Sequence, residues 1–158
     1  LGGIFNGGSD YMTFLTLLCL IVGGFSGQAW LLEASLMYLG LQSSLSYTIG
    51  GFSKLRDPSW FNGQALYRFM KQTVYGDRIT RGIEYGPQKL RIFGWLILAS
   101  ECSFPLALIH PQICIWYLTL AACFHMINVY VFGLNRFFWA WIASYPAIFY
   151  LSKVFSEI

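Results

Sequence analysis

Apolar residues in this chain come in long blocks with short polar breaks between them, the spacing expected of membrane spans. The Gly-rich lead-in Phe5-Asn6-Gly7-Gly8-Ser9-Asp10 ends in a plausible helix N-cap. Tyr11 to Phe25 follows, almost wholly apolar and long enough to cross if continued to about Gln28. Ser26-Gly27-Gln28 reads as a tight turn, and Ala29 to Ile49 as a second span with Glu33 near its start. The second span carries a polar stripe, Gln42, Ser43, Ser46 and Tyr47, of the kind that faces other helices or a cavity. Lys54 to Arg91 is the only long polar region. Within it, Ala65 to Val74 is amphipathic and predicts a helix lying along the interface, while Gly76, Gly82, Gly86 and Pro87 mark loop. Leu90 to Ile109, Gln112 to Phe132 and Phe137 to Val154 are the third, fourth and fifth spans, with turns at His110-Pro111 and Gly133 to Arg136. Glu101 and Pro105 fall inside the third span, and His125 and Asn128 share one face of the fourth. No internal repeat is evident. The expected fold is all-α: one domain over 1–158, a polytopic membrane helix bundle of about five transmembrane helices and one interfacial amphipathic helix.

Composition sharpens this expectation. Hydrophobic residues make up 56% and charged residues 11%, with a mean hydropathy of +0.55. A soluble domain carries roughly 25% charged residues, so the composition predicts an integral membrane protein. Leu1-Gly2-Gly3 lacks the basic n-region and cleavage site of a signal peptide, and the chain reads as one lacking part of its N-terminus. Cys19, Cys102, Cys114 and Cys123 all lie in apolar segments without a C-x-x-C pair; they read as buried hydrophobes, and no metal site is expected. The formal charge of +3 calls for no nucleic-acid partner.

Charge placement predicts a topology. Lys54, Arg56, Arg68, Lys71, Arg78, Arg81, Lys89 and Arg91 put eight of the ten basic residues into one loop, and Arg136 falls on the same side. The turns at Ser26-Gly27-Gln28 and His110-Pro111 carry neither Lys nor Arg. The positive-inside rule therefore places the 54–91 loop and the N-terminal stretch in the cytoplasm, with Lys153 as the exception.

The chemistry candidates follow from cost. An unpaired ionisable side chain at a span centre costs roughly 2.5–3.5 kcal/mol or more, which singles out Glu33, Glu101 and His125. Glu101 is expected to be protonated, or paired with His125 or a hydroxyl. These residues suit a proton relay or a pocket around a quinone headgroup; they equally suit inter-helix hydrogen bonds that fix packing. Lys54 follows a small-residue turn at Gly50-Gly51, at the mouth of an apolar helix. Desolvation there makes an ammonium easier to deprotonate, as a general base requires; the plainer alternative is a lysine that snorkels to the headgroups. His110 and His125 lie too far apart for one bis-His haem unless a bend intervenes. The aromatics Phe137, Phe138, Trp139, Trp141, Tyr145, Phe149 and Tyr150 fit an interfacial belt and packing face, or contact with another protein.

The run Tyr47-Thr48-Ile49-Gly50-Gly51-Phe52-Ser53-Lys54-Leu55, with Trp60 and then Phe61-Asn62-Gly63-Gln64-Ala65-Leu66, resembles the membrane domain of vitamin K-dependent gamma-carboxylases and the wider bacterial horizontally transferred transmembrane (HTTM) family. Gly51, Lys54, Leu55, Trp60 and Gly63 fall in register with that motif. Ser100-Glu101 with Phe104-Pro105, Phe124 to Asn128, and Gly133 to Phe137 (with Asn135 and Arg136) extend the likeness from Phe5 to about Tyr150. The resemblance implies Lys54 as catalytic base and sets Glu101 and His125 on the family's Glu-bearing and His-bearing spans. Together with the intramembrane cost and the polar stripe, the candidate polar intramembrane or pocket residues are Glu33, Gln42, Tyr47, Glu101, His125 and Asn128, and the structural motif residues are Gly50, Gly51, Trp60, Gly63, Asn135 and Arg136. The resemblance also implies a bacterial inner membrane. The sequence departs from the carboxylases where they carry a functional histidine, since Asn6 to Asp10 offers only Gly and Asp, and it ends soon after its last span. Those departures favour an accessory or structural subunit of a larger membrane complex. Its partners would be membrane lipids and other integral-membrane subunits, with a quinone or another lipid held between the helices. The alternative is a carboxylase-like or other lipid-pocket enzyme with Lys54 as general base.

Overall fold

The computed structural model describes residues 8–71 and 86–157. Among them the fold is all-α. Helices α1 (Gly8–Phe25) and α2 (Ala29–Leu55) form an antiparallel pair joined at Ser26 to Gln28, where the Ser26 hydroxyl bonds the Gly23 carbonyl and accepts from Gln28 N. A 3₁₀ turn, Pro58–Trp60, leads to the short α3 (Gln64–Lys71). Then come α4 (Pro87–Cys102), a 3₁₀ turn at Phe104–Leu108, α5 (Pro111–Phe132), α6 (Asn135–Ile142) and α7 (Tyr145–Ser156). Helix α2 is the axis of the molecule, packing on α1, α4 and α7.

Among the described residues two helices, α1 with 18 residues and α5 with 22, are long and apolar enough to cross a membrane. The other expected spans are shaped differently. The third is broken at Ser103: a helix continued through Pro105 would drive the proline ring into the Glu101 carbonyl, and α4 stops after 16 residues. The fifth is divided at Ala143-Ser144 into α6 and α7, because Pro146 would meet the Ile142 carbonyl in the same way. Helix α2 runs past the expected end at Ile49 to Leu55, so Gly50-Gly51 is helical and not a turn. Asp10 lies in the first turn of α1, whose helix starts at Gly8, so it is not the N-cap. The expected amphipathic segment forms a helix over Gln64–Lys71; residues 72–74 of that segment, with Gly76 and Gly82, lie outside the described residues.

The core sits where the two broken spans meet α2. Tyr47, Phe104, Ala107, Cys114, Trp141, Tyr145, Ile148 and Leu151 form it. Small residues set the helix spacing around it. A Cβ on Gly40 would lie 2.5 Å from the Ala147 carbonyl oxygen, and one on Gly51 would lie 2.7 Å from Cys102 N, so α7 and α4 touch the α2 backbone directly. Gly63 has φ +79°, the left-handed region that favours glycine, and a Cβ there would fall 2.0 Å from the Pro87 oxygen. That contact folds α3 onto the first turn of α4.

Candidate functional site

Residues 40, 44, 47, 51 and 54 follow the i, i+4, i+7 rhythm of a single helix face, and on α2 this face carries Gly40, Ser44, Tyr47, Gly51 and Lys54. The face sorts the candidate residues into two polar pairs. At its upper end Lys54 Nζ lies 2.5 Å from Glu101 Oε2, although 47 residues separate the two in sequence. Nζ also donates to the Gly50 carbonyl at 3.3 Å and lies 5.5 Å from the centre of the Trp60 ring. The side chains retain 23% and 12% of their exposure, so the pair is largely withdrawn from solvent. Four of the residues around Lys54 in this stretch thus have a physical part. Gly51 admits α4, Gly50 supplies a carbonyl, Trp60 covers the ammonium, and Gly63 turns α3 back toward α4.

About two turns down the same face, Tyr47 is the centre of the second cluster. Its hydroxyl lies 2.6 Å from His125 Nε2 and 3.3 Å from the Tyr145 hydroxyl. Its ring stacks on Phe104 at 4.1 Å and leans on Trp141 at 4.6 Å. His125 is 2% exposed and lies between Trp141, stacked at 5.8 Å, and Phe137, edge-on at 5.1 Å. The breaks at Ser103 and at Ala143-Ser144 put Phe104, Trp141 and Tyr145 in place. Of the alternatives expected for Glu101, neither the His125 pair nor a hydroxyl partner is found: Pro105 ends α4 beside Lys54, which takes the carboxylate, and the imidazole takes the Tyr47 hydroxyl.

The remaining candidates lie elsewhere. Glu33 is exposed near the opposite end of α2, about 30 Å from Lys54 along the helix axis. Gln42 is half-buried, its carbonyl accepting from the Ser46 hydroxyl at 2.8 Å, and the Ser43 and Ser44 hydroxyls likewise bond carbonyls of their own helix. The polar stripe of α2 is thus mostly bonded to its own backbone, with Tyr47 reaching across. Asn128 is half-buried, and its carbonyl receives Leu134 N at the end of α5. Asn135 opens α6, and Arg136 Nη2 reaches Asp10 Oδ1 at 2.7 Å, tying α6 to α1.

Trp141 and Tyr145 are site residues that the sequence pattern hid inside an aromatic run. The signal that finds them is Pro146, which breaks the run and turns both rings toward α2. His110 caps α5 through Nδ1, which accepts from Gln112 N at 3.2 Å, and it sits 15 residues before His125, about 22 Å along the helix. The two therefore do not converge on one iron. No group of three or more His, Cys, Asp or Glu able to hold a metal occurs among the described residues. On the exposed turn after α2, Ser59 donates to Asp57 from both its hydroxyl, at 2.7 Å, and its backbone N, at 2.9 Å. These bonds hold that carboxyl below the usual carboxylate range.

Comparison with family models, with curated proteins and with solved structures returns no match.

Proposed function

We propose that this chain is a multi-pass integral membrane protein acting as an accessory subunit of a larger membrane assembly. One observation carries the membrane part: α1 and α5 turn their apolar surface outward, with only 22% and 17% of their most apolar stretches buried inside the fold. A core helix of a water-soluble protein would show the reverse. Leu17, Leu20 and Ile21 on α1, and Ile115, Leu120 and Ile127 on α5, are all more than two-fifths exposed, a burden that lipid or apolar neighbours remove. The broken α4 and α6–α7 segments complete the five-span arrangement. The excess of Lys and Arg in 54–91 puts that loop in the cytoplasm. The likeness to the HTTM family adds the bacterial inner membrane. Partner contact is supported by α6, where Trp139 is 68% exposed while Trp141, two residues on, is buried in the core. The two tryptophans that the sequence groups together thus face opposite ways.

A second reading is favoured by the Lys54–Glu101 pair: a site for a quinone or another lipid headgroup, with carboxylase-like base chemistry at Lys54. In an ion pair Nζ is an ammonium, so the base form requires that Glu101 first take its proton. The pair suits proton exchange with a bound headgroup better than a free resting base.

Extraction from the native membrane in mild detergent, followed by the mass and composition of the intact particle, tests both. The expected result is a large particle with stoichiometric membrane partners, which Trp139→Ala weakens. A small particle that keeps a quinone, and loses it on Lys54→Ala, selects the enzyme. A protein released by salt or alkali without detergent contradicts both.

A further inference from the structure

We infer that the shelf formed by α3 and the first turns of α4 is a docking surface for anionic lipid headgroups. This rests on the membrane reading above. The contact of Gly63 with Pro87 and Arg91 packs α3, which carries Arg68 and Lys71, against α4, whose first turns carry Lys89 and Arg91, and Arg56 caps the end of α2 just before the Pro58–Trp60 turn. All five cations are exposed. The same described stretches, 55–71 and 86–98, carry one acid, Asp57, and its carboxylate is bonded to Ser59. Residues 72–85 add Asp77 and Glu84 against Arg78 and Arg81, so they leave the excess unchanged.

The cations are arranged as a headgroup layer requires. Lys71 lies over the Tyr67 ring at 5.7 Å, and Arg68 Nε reaches the Gln64 carbonyl at 3.4 Å, so both are held along α3. Directly after Lys89 and Arg91 on α4 come Ile92, Phe93, Trp95 and Leu96, each about half-exposed or more, and Phe69 on α3 is exposed as well. Charge followed within one turn by outward apolar and indole side chains is the profile of a helix entering a bilayer at the headgroup level. A neutral headgroup layer would leave five cations beside one acid without counter-charge. An anionic layer gains about 1 kcal/mol for each Lys or Arg near the surface, about a fivefold preference per cation.

The test uses the full chain in neutral detergent, titrated with dioleoylphosphatidylglycerol or dioleoylphosphatidylcholine and read by native mass spectrometry. The chain is expected to bind phosphatidylglycerol at least tenfold more tightly. Combined Arg68→Gln, Lys71→Gln, Lys89→Gln and Arg91→Gln should bring the two lipids within about twofold. Lys153→Gln, which removes a cation far along the sequence, should keep the preference, as should Arg68→Lys with Arg91→Lys. Helical content by circular dichroism checks that the fourfold variant is folded. Equal binding of both lipids by the wild-type chain, or an unchanged preference in the folded fourfold variant, overturns the inference. Displacement of the lipid by millimolar inorganic phosphate or by polyglutamate also overturns it, assigning the surface to a soluble anion or an acidic protein. A chain that stays soluble without detergent refutes the membrane reading instead, so the two failures are told apart.

Discussion

Glu101→Leu is expected to cost about 3 kcal/mol of folding stability, and adding Lys54→Met is expected to restore most of it. Breaking a buried pair by removing one partner typically costs about 3–5 kcal/mol, because the other charge is left uncompensated; replacing both with apolar groups is often near neutral. The lower end applies here, since Lys54 keeps 23% of its side-chain exposure and the Trp60 ring beside it. Lys54→Met alone should be at least as harmful, because it strands a carboxylate at 12% exposure against the α2 backbone. Reversible unfolding in mixed micelles reads all four members of the cycle. A coupling energy of about 2 kcal/mol or more is expected; strictly additive single substitutions would mean that the pair does not fasten α2 to α4.

The second large effect separates two neighbouring glycines. A Cβ on Gly51 would lie 2.7 Å from Cys102 N, 2.8 Å from Cys102 Sγ and 2.9 Å from Glu101 Cβ. Two of these are atoms at the rigid end of α4, so the helices must part, and Gly51→Ala is expected to lose about 2–3 kcal/mol. A Cβ on Gly50 would meet Lys54 Nζ at 3.6 Å and Glu101 Oε2 at 3.7 Å, ordinary contact distances. Alanine there removes glycine's helix penalty, and Gly50→Ala should be neutral or stabilising by up to about 1 kcal/mol. The same unfolding assay compares them. Equal tolerance at both positions would contradict the close α2–α4 packing, and equal damage would contradict the assignment of contact to Gly51 alone.

Much of the fold was legible because apolar block length and polar breaks are local signals. The starts of α2, α5 and the amphipathic α3 follow from them directly. Proline misled where hydropathy stays high on both sides: Pro105 and Pro146 leave the apolar runs intact but end the backbone ladder, so two spans read as continuous are broken. Gly50-Gly51 misled in the opposite sense. The pair looks like a turn in one dimension, yet its use is a close approach by a helix some 50 residues later, which no local pattern displays.

The site was half legible for the same reason. Lys54, Glu101, Tyr47 and His125 stand out by their cost in an apolar setting. Their partners depend on where α4 and α6 stop, which is why Glu101 meets Lys54 and not His125. Glu33 stands out by the same cost, yet it lies at the far end of α2, exposed. Trp141 and Tyr145 could not be told from five other aromatics until the Pro146 break oriented them.

The central claim, that α1 and α5 lie in a bilayer, is tested most directly by thiol labelling of Cys123. The other free cysteines are buried, or half-buried in the case of Cys102, while Cys123 is exposed on α5. In membranes, opened or sealed, a membrane-impermeant maleimide should leave Cys123 unmodified, and full modification should follow only in denaturing detergent, because the thiol faces lipid and not water. Rapid labelling of Cys123 in intact membranes, or in a detergent-free soluble fraction, would put that face of α5 in water and contradict the membrane bundle.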